Sequence, residues 1–143
     1  MQLSTNFSYD EMVRSDTAAR LGIPNSPGPL ELKNLTSTAQ QMEQVRTLVA
    51  GPVFITSAYR SPAVNQAVGG VSSSAHCQGW AVDFTCPGWS NYDLACAIRD
   101  SGIQYDQVIK EYGWIHLSFH PQMRRMELTK RSASSPYEQG IQP

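Results

Sequence analysis

Between Leu35 and Val49 the apolar side chains recur as Leu35, Ala39, Met42, Val45 and Val49. Spacings of three and four predict an amphipathic helix, with Gly51-Pro52 as its stop signal. Upstream, Ser8-Tyr9-Asp10-Glu11 has the form of a capping box. It predicts one helix carrying Met12, Val13, Ala18, Ala19 and Leu21, ending near Gly22 and Pro24. Val53 to Thr56 is β-branched and aromatic and predicts a strand. Ser61-Pro62 opens a short helix through Val68, closed by the tight turn that Gly69-Gly70 permits. From Trp80 to Thr85 the pattern switches to alternation, with Trp80, Val82 and Phe84 on one face and Ala81, Asp83 and Thr85 on the other.

A cap at Ser90 predicts a helix bearing Leu94, Ala97 and Ile98, closed by Gly102. Gln107–Glu111 and Trp114–Phe119 read as two strands joined by the two-residue loop Tyr112-Gly113. If so, Glu111 pairs with Trp114 and Ile109 with His116. Helices come first and antiparallel strands last, which predicts an α+β domain with a small antiparallel sheet and helices packed on one side. Residues 132–143 are polar and rich in Ser, Pro and Gly, and predict a flexible tail after a single domain over residues 1–131.

With 143 residues the chain is long enough for one core. Eleven Lys and Arg against twelve Asp and Glu leave a formal net charge of −1, and charged residues are only 16% of the chain. That balance argues against a general nucleic-acid or membrane-surface footprint, so function must come from a local site. The start of the chain shows no basic and apolar leader, and no apolar run is long enough to span a bilayer. Synthesis in the cytoplasm, without a signal peptide, is the expectation. Cys77, Cys86 and Cys96 are odd in number and lack CxxC spacing. They read as packed free thiols, with Cys77, beside a histidine, the one alternative metal ligand.

Three histidines are present. His76 precedes Asp83 by one short segment, and His116 sits on the polar face of a strand whose other face is Ile115, Leu117 and Phe119. Two imidazoles and a carboxylate from separate segments have the composition of a three-ligand zinc site with an open position. The competing reading is that each is simply solvated or hydrogen-bonded. The hairpin register adds a second carboxylate: Glu111, Trp114 and His116 share one face, with Glu111 diagonal to His116 at roughly 7–8 Å between backbone positions. Zinc lowers the pKa of a water toward ~7, and a carboxylate at that position can take its proton and pass it to a leaving amine. Otherwise Glu111 is an exposed residue paired with Lys110 or another cation at the hairpin edge.

Three runs carry a resemblance: Ser57-Ala58-Tyr59-Arg60-Ser61-Pro62-Ala63-Val64-Asn65 with Val68-Gly69-Gly70; Ser74-Ala75-His76-Cys77-Gln78-Gly79-Trp80-Ala81-Val82-Asp83; and Trp114-Ile115-His116-Leu117-Ser118. The chain resembles the zinc D-Ala-D-Ala carboxypeptidase family, in particular its compact phage and prophage cell-wall peptidases, over about residues 3–130. Asn6-Phe7-Ser8, Thr17 to Ile23 and Arg124 to Thr129 extend the likeness. The resemblance implies the hedgehog-like zinc peptidase fold, with the zinc site in a cleft on the sheet.

It implies zinc ligation by His76, Asp83 and His116, and substrate or oxyanion binding by Arg60. It further implies that Ser74 orients the site or donates to the peptide, that Trp114 contacts substrate, and that Gly79 lets the chain pass close to the metal. Against this, Arg60 could be a surface ion-pair residue and Ser74 a loop residue capping its own backbone. Several relatives carry the base three residues before the last histidine, or a histidine two before it, and here those positions are Gly113 and Trp114. Glu111 is similar to the acidic residue of the short phage-type members. His120 is read as a rim residue.

The activity implied is hydrolysis of an amide bond in peptidoglycan stem peptides or cross-links, in the manner of a phage endolysin or a D,D-carboxypeptidase. The chain would act as a monomer, with a holin or a phage particle as its partner, on the wall after release or within a virion. The alternatives are a virion or tail component that binds wall through the same cleft with little or no catalysis, and a dipeptidase acting on free D-Ala-D-Ala.

Overall fold

The computed structural model describes every residue from Met1 to Pro143. The capping box begins a helix as expected: Ser8 accepts from Glu11 N at 3.1 Å and starts α1, Tyr9–Val13. One continuous helix does not follow. Arg14 turns extended, its guanidinium donates to Ile55 O at 3.2 Å, and Ser15 caps a second helix, α2, Asp16–Leu21, by accepting from Ala18 N. The carbonyl that the break exposes at Val13 is satisfied by Asn25 Nδ2 at 2.7 Å. A serine hydroxyl offering a local backbone partner is what lets a chain leave one helix and start another.

Helix α3, Pro29–Val49, buries Leu35, Ala39, Met42, Val45 and Val49 as the spacing predicts, and ends at Ala50 in the left-handed region. Strand β1, Phe54–Ser57, and helix α4, Pro62–Ala67, follow. A single 3-10 turn over Ala75–Gln78, which the residue pattern does not announce, leads into β2, Ala81–Thr85. Helix α5, Asn91–Asp100, then precedes the hairpin of β3, Gln107–Lys110, and β4, Ile115–Ser118. In that hairpin Ile109 is opposite His116 and Glu111 N donates to Trp114 O at 3.0 Å, the register that a two-residue loop dictates.

Two further strands correct the expectation of an antiparallel sheet and a flexible tail. Strand β5, Met126–Thr129, lies parallel to β3, and β6, Glu138–Gln139, lies antiparallel to β5. The result is a mixed six-stranded sheet in the order β1-β2-β4-β3-β5-β6. The crossing into β5 is held by Arg124, which grips buried Asp106 through Nε and Nη2 at 2.9 and 2.8 Å while its own N–H adds a third bond. The final residues dock because Ile141 enters the core and Thr129 Oγ1 donates to Gly140 O and accepts from Gln142 N. One apolar anchor and four ladder residues outweigh a composition that reads as loop.

The core lies between α3, α5 and the sheet face bearing Val82, Phe84, Val108, Ile115 and Leu117. On the opposite face a single row of Cα partners runs from Ser57 through Asp83, His116, Ile109 and Leu128 to Gln139. Two of the candidate ligands are neighbours in that row.

Candidate metal centre

Asp83 and His116 face each other on the two central strands, and the register alone sets their side chains side by side. His76 arrives from the 3-10 turn. Asp83 Oδ1 lies 3.2 Å from His76 Nε2 and 3.0 Å from His116 Nδ1. One ligand atom from each of the three residues lies within 4.8 Å of the others. His76 and Asp83 are buried and His116 is half-buried. The two imidazole rings meet edge-on at 5.1 Å between centroids.

Three pieces of the sequence hold His76 in place. The run after β1 lies along the 3-10 turn: Ala58 O accepts from His76 Nδ1 at 2.7 Å, and Arg60 N donates to His76 O at 3.2 Å. Asn25 clamps that run by donating to Tyr59 O and accepting from Ser61 N. Ser74 Oγ accepts from His76 N at 3.2 Å and starts the turn. The turn ends at Gly79, with φ of +84°, and a Cβ there would lie 2.6 Å from Glu31 O on α3. Thr38 donates to Gly79 O and Asn34 to Gln78 O, both from the same helix. Gly79 therefore serves close approach to α3.

Burial pushes the His76 imidazole down, so the ring is neutral and its Nε2 carries a lone pair. Burial pushes the Asp83 carboxyl up, but the adjacent imidazoles more than reverse this and hold it below the ordinary carboxylate range. A neutral His76 imidazole and an ionised Asp83 carboxylate are the protonation states in which those two side chains can ligate. The donor set fits a zinc ion: two nitrogens and one oxygen, with one histidine's other nitrogen tied to a backbone carbonyl.

Glu111 continues β3 beyond Lys110 on the same face as Ile109 and His116, half-buried. Burial pushes its carboxyl up, and the nearby Asp83 charge adds to this while His116 and Lys130 oppose it. Trp114 sits two residues before His116 and stacks edge-on against Tyr112 at 4.6 Å. Arg60 Nη2 donates to Ser74 Oγ at 3.3 Å, while its Nε is buried with no partner. Burial lowers the guanidinium's pKa, yet the group remains charged.

His120 and Cys77 stay out of the cluster. His120 Nδ1 accepts from Gln122 N at 3.1 Å, closing a turn, and all three cysteines are free. The residue pattern missed the carbonyl of Ala58, because a backbone acceptor leaves no side-chain signal. No helix is long and apolar enough to cross a membrane.

Residues 5–118 match the model of the family described as Peptidase M15. No curated protein sequence matches the chain.

Proposed function

We propose that this chain, which belongs to the Peptidase M15 family of metallopeptidases, is a zinc-dependent peptidase that hydrolyses an amide bond in peptidoglycan stem peptides or cross-links. The observation that carries the reading is the convergence of His76, Asp83 and His116, with ligand atoms within 4.8 Å, on the sheet face that also bears Glu111. Zinc held there supplies Lewis acidity and an acidified water.

Each neighbouring group then has a task that its chemistry suits. Glu111, half-buried and with its carboxyl pushed up by burial, takes the proton of the attacking water and returns it to the leaving amine. Arg60, a charged guanidinium steadied by Nη2 on Ser74, stabilises the oxyanion or holds a carboxylate of the peptide. Ser74 holds Arg60 and the His76 turn in register. Trp114 lines the approach. The cell wall as substrate, and a role as a lysin or virion component, rest on the resemblance of the three sequence runs.

The test is Glu111→Gln with purified murein as substrate. Zinc content and melting temperature stay at the wild-type values, and the release of new termini, read by mass spectrometry of muropeptides, falls by about 10²–10⁴-fold. Loss of metal together with activity makes Glu111 a ligand or a structural residue. A wild-type protein that binds zinc and wall but releases no termini is a binding component.

A further inference from the structure

The residues beyond the matched segment build part of the same face. Lys130 N donates to Lys110 O at 2.9 Å, so continuing the parallel register past Lys110↔Thr129 sets Lys130 beside Glu111. Continuing the antiparallel register past Thr129↔Glu138 sets Tyr137 opposite Lys130. The Lys130 ammonium lies 4.4 Å from the centroid of the Tyr137 ring, and Lys130 Nζ donates to Ser135 O at 3.0 Å. A second row thus runs Trp114, Glu111, Lys130, Tyr137, one pleat along from the row that carries Asp83 and His116.

The segment that presents Tyr137 is firmly seated. Arg131 pairs with Glu138 at 2.7 Å, Gly140 N donates to Glu127 O, and Ile141 is in the core. Yet Tyr137 itself is 54% exposed. A rigid strap that holds a large aromatic partly in solvent, on the face carrying Glu111 and Asp83, is placed to meet a ligand. Burial and the neighbouring Glu111 charge push the phenol up, so its hydroxyl remains a donor.

We propose that Tyr137 is a substrate-binding residue of this site, its hydroxyl donating to a carbonyl of the bound peptide across the sheet from Arg60. Arg60 follows the β1 edge and Tyr137 precedes the β6 edge, so the peptide is gripped at both margins of the Asp83–His116 pair. This rests on the peptidase reading above and adds a contact that determines which peptides fit.

The experiment compares wild type, Tyr137→Phe and Tyr137→Ala for KM and kcat on soluble muropeptides. Affinity for the same muropeptides is measured on the zinc-loaded protein with Glu111→Gln, where turnover is stopped. Tyr137→Phe keeps zinc content and melting temperature, raises KM and Kd by about 5–20-fold, the scale of one lost hydrogen bond, and leaves kcat within twofold. Unchanged KM and Kd in Tyr137→Phe, with the wild type active, overturn the inference and leave the peptidase reading standing. Tyr137-dependent affinity in a wild type that cleaves nothing overturns the peptidase reading and leaves the inference standing. Should Tyr137→Ala fail to fold, Tyr137→Phe alone decides.

Discussion

His76 donates from Nδ1 to the carbonyl oxygen of Ala58 at 2.7 Å, which leaves Nε2 as the nitrogen that faces Asp83 and His116. A backbone acceptor thereby sets the ring's tautomer and aim before any metal arrives. A carbonyl cannot be deleted by substitution, so the side chains of the candidate ligands are the accessible test.

His76→Ala, Asp83→Ala and His116→Ala are each expected to reduce bound zinc from about one per chain to near zero by elemental analysis. Chelation of the wild type should lower its melting temperature by several degrees, since metal held at about 100 times its Kd contributes about 2.7 kcal/mol. The three variants should show little further shift with chelator.

Arg60→Lys keeps a charge but loses the planar fork. Its expected effect is a fall in kcat/KM of at least 10-fold, and about 10²–10³-fold for Arg60→Ala, with zinc content unchanged. Steady-state kinetics on muropeptides alongside zinc analysis checks both. Zinc loss in Arg60→Ala would assign the residue to holding the His76 turn through its backbone neighbourhood.

Gly79→Ala forces a side chain into a left-handed conformation, at about 1–3 kcal/mol, and drives Cβ toward Glu31 O and Leu35 N. Both contacts are backbone, so α3 and the turn must separate. Lower stability in denaturant titration together with weaker zinc binding is the expected pair of outcomes. Gly113→Ala, with nothing within 4 Å of its added Cβ, is the control.

Asp106 is buried, and its hydrogen bonds to Arg124 hold the carboxyl below its ordinary range. A carboxylate with a lowered folded-state pKa contributes stability that is present above its unfolded value, near 3.9, and is lost as pH falls through the folded value. Asp106→Asn should therefore cost about 2 kcal/mol at pH 7. Melting curves of variant and wild type should converge below pH 4. Parallel curves down to pH 2 would show that the carboxylate's charge contributes nothing to closing the β4–β5 crossing.

How much could be read beforehand depended on how local each determinant is. The α3 period and the pairing of Ile109 with His116 are written into neighbouring residues, so both were legible. His76, Asp83 and His116 could be singled out by type and order, but the distances between them depend on β2 meeting β4 and on Gly79 meeting α3. The break at Arg14 needed Ile55 as a distant partner, and β5 needed Asp106 to receive Arg124. Tyr137 looked like part of a polar tail because Ile141, four residues on, is its only strongly apolar neighbour.

The two-residue loop between β3 and β4 has a kinetic consequence. Hairpins of this kind close within about 1–10 μs, because little chain entropy opposes them. Pairing β1 with β2, by contrast, must first bring Ile55 to Phe84 across an intervening helix and turn. His116 and Glu111 can thus be aligned by a local closure, whereas bringing Asp83 and His76 to them needs the long one. On the metallopeptidase reading, zinc uptake during refolding would time that long closure: hairpin formation would leave it silent, and the arrival of the 3-10 turn against α3 would start it.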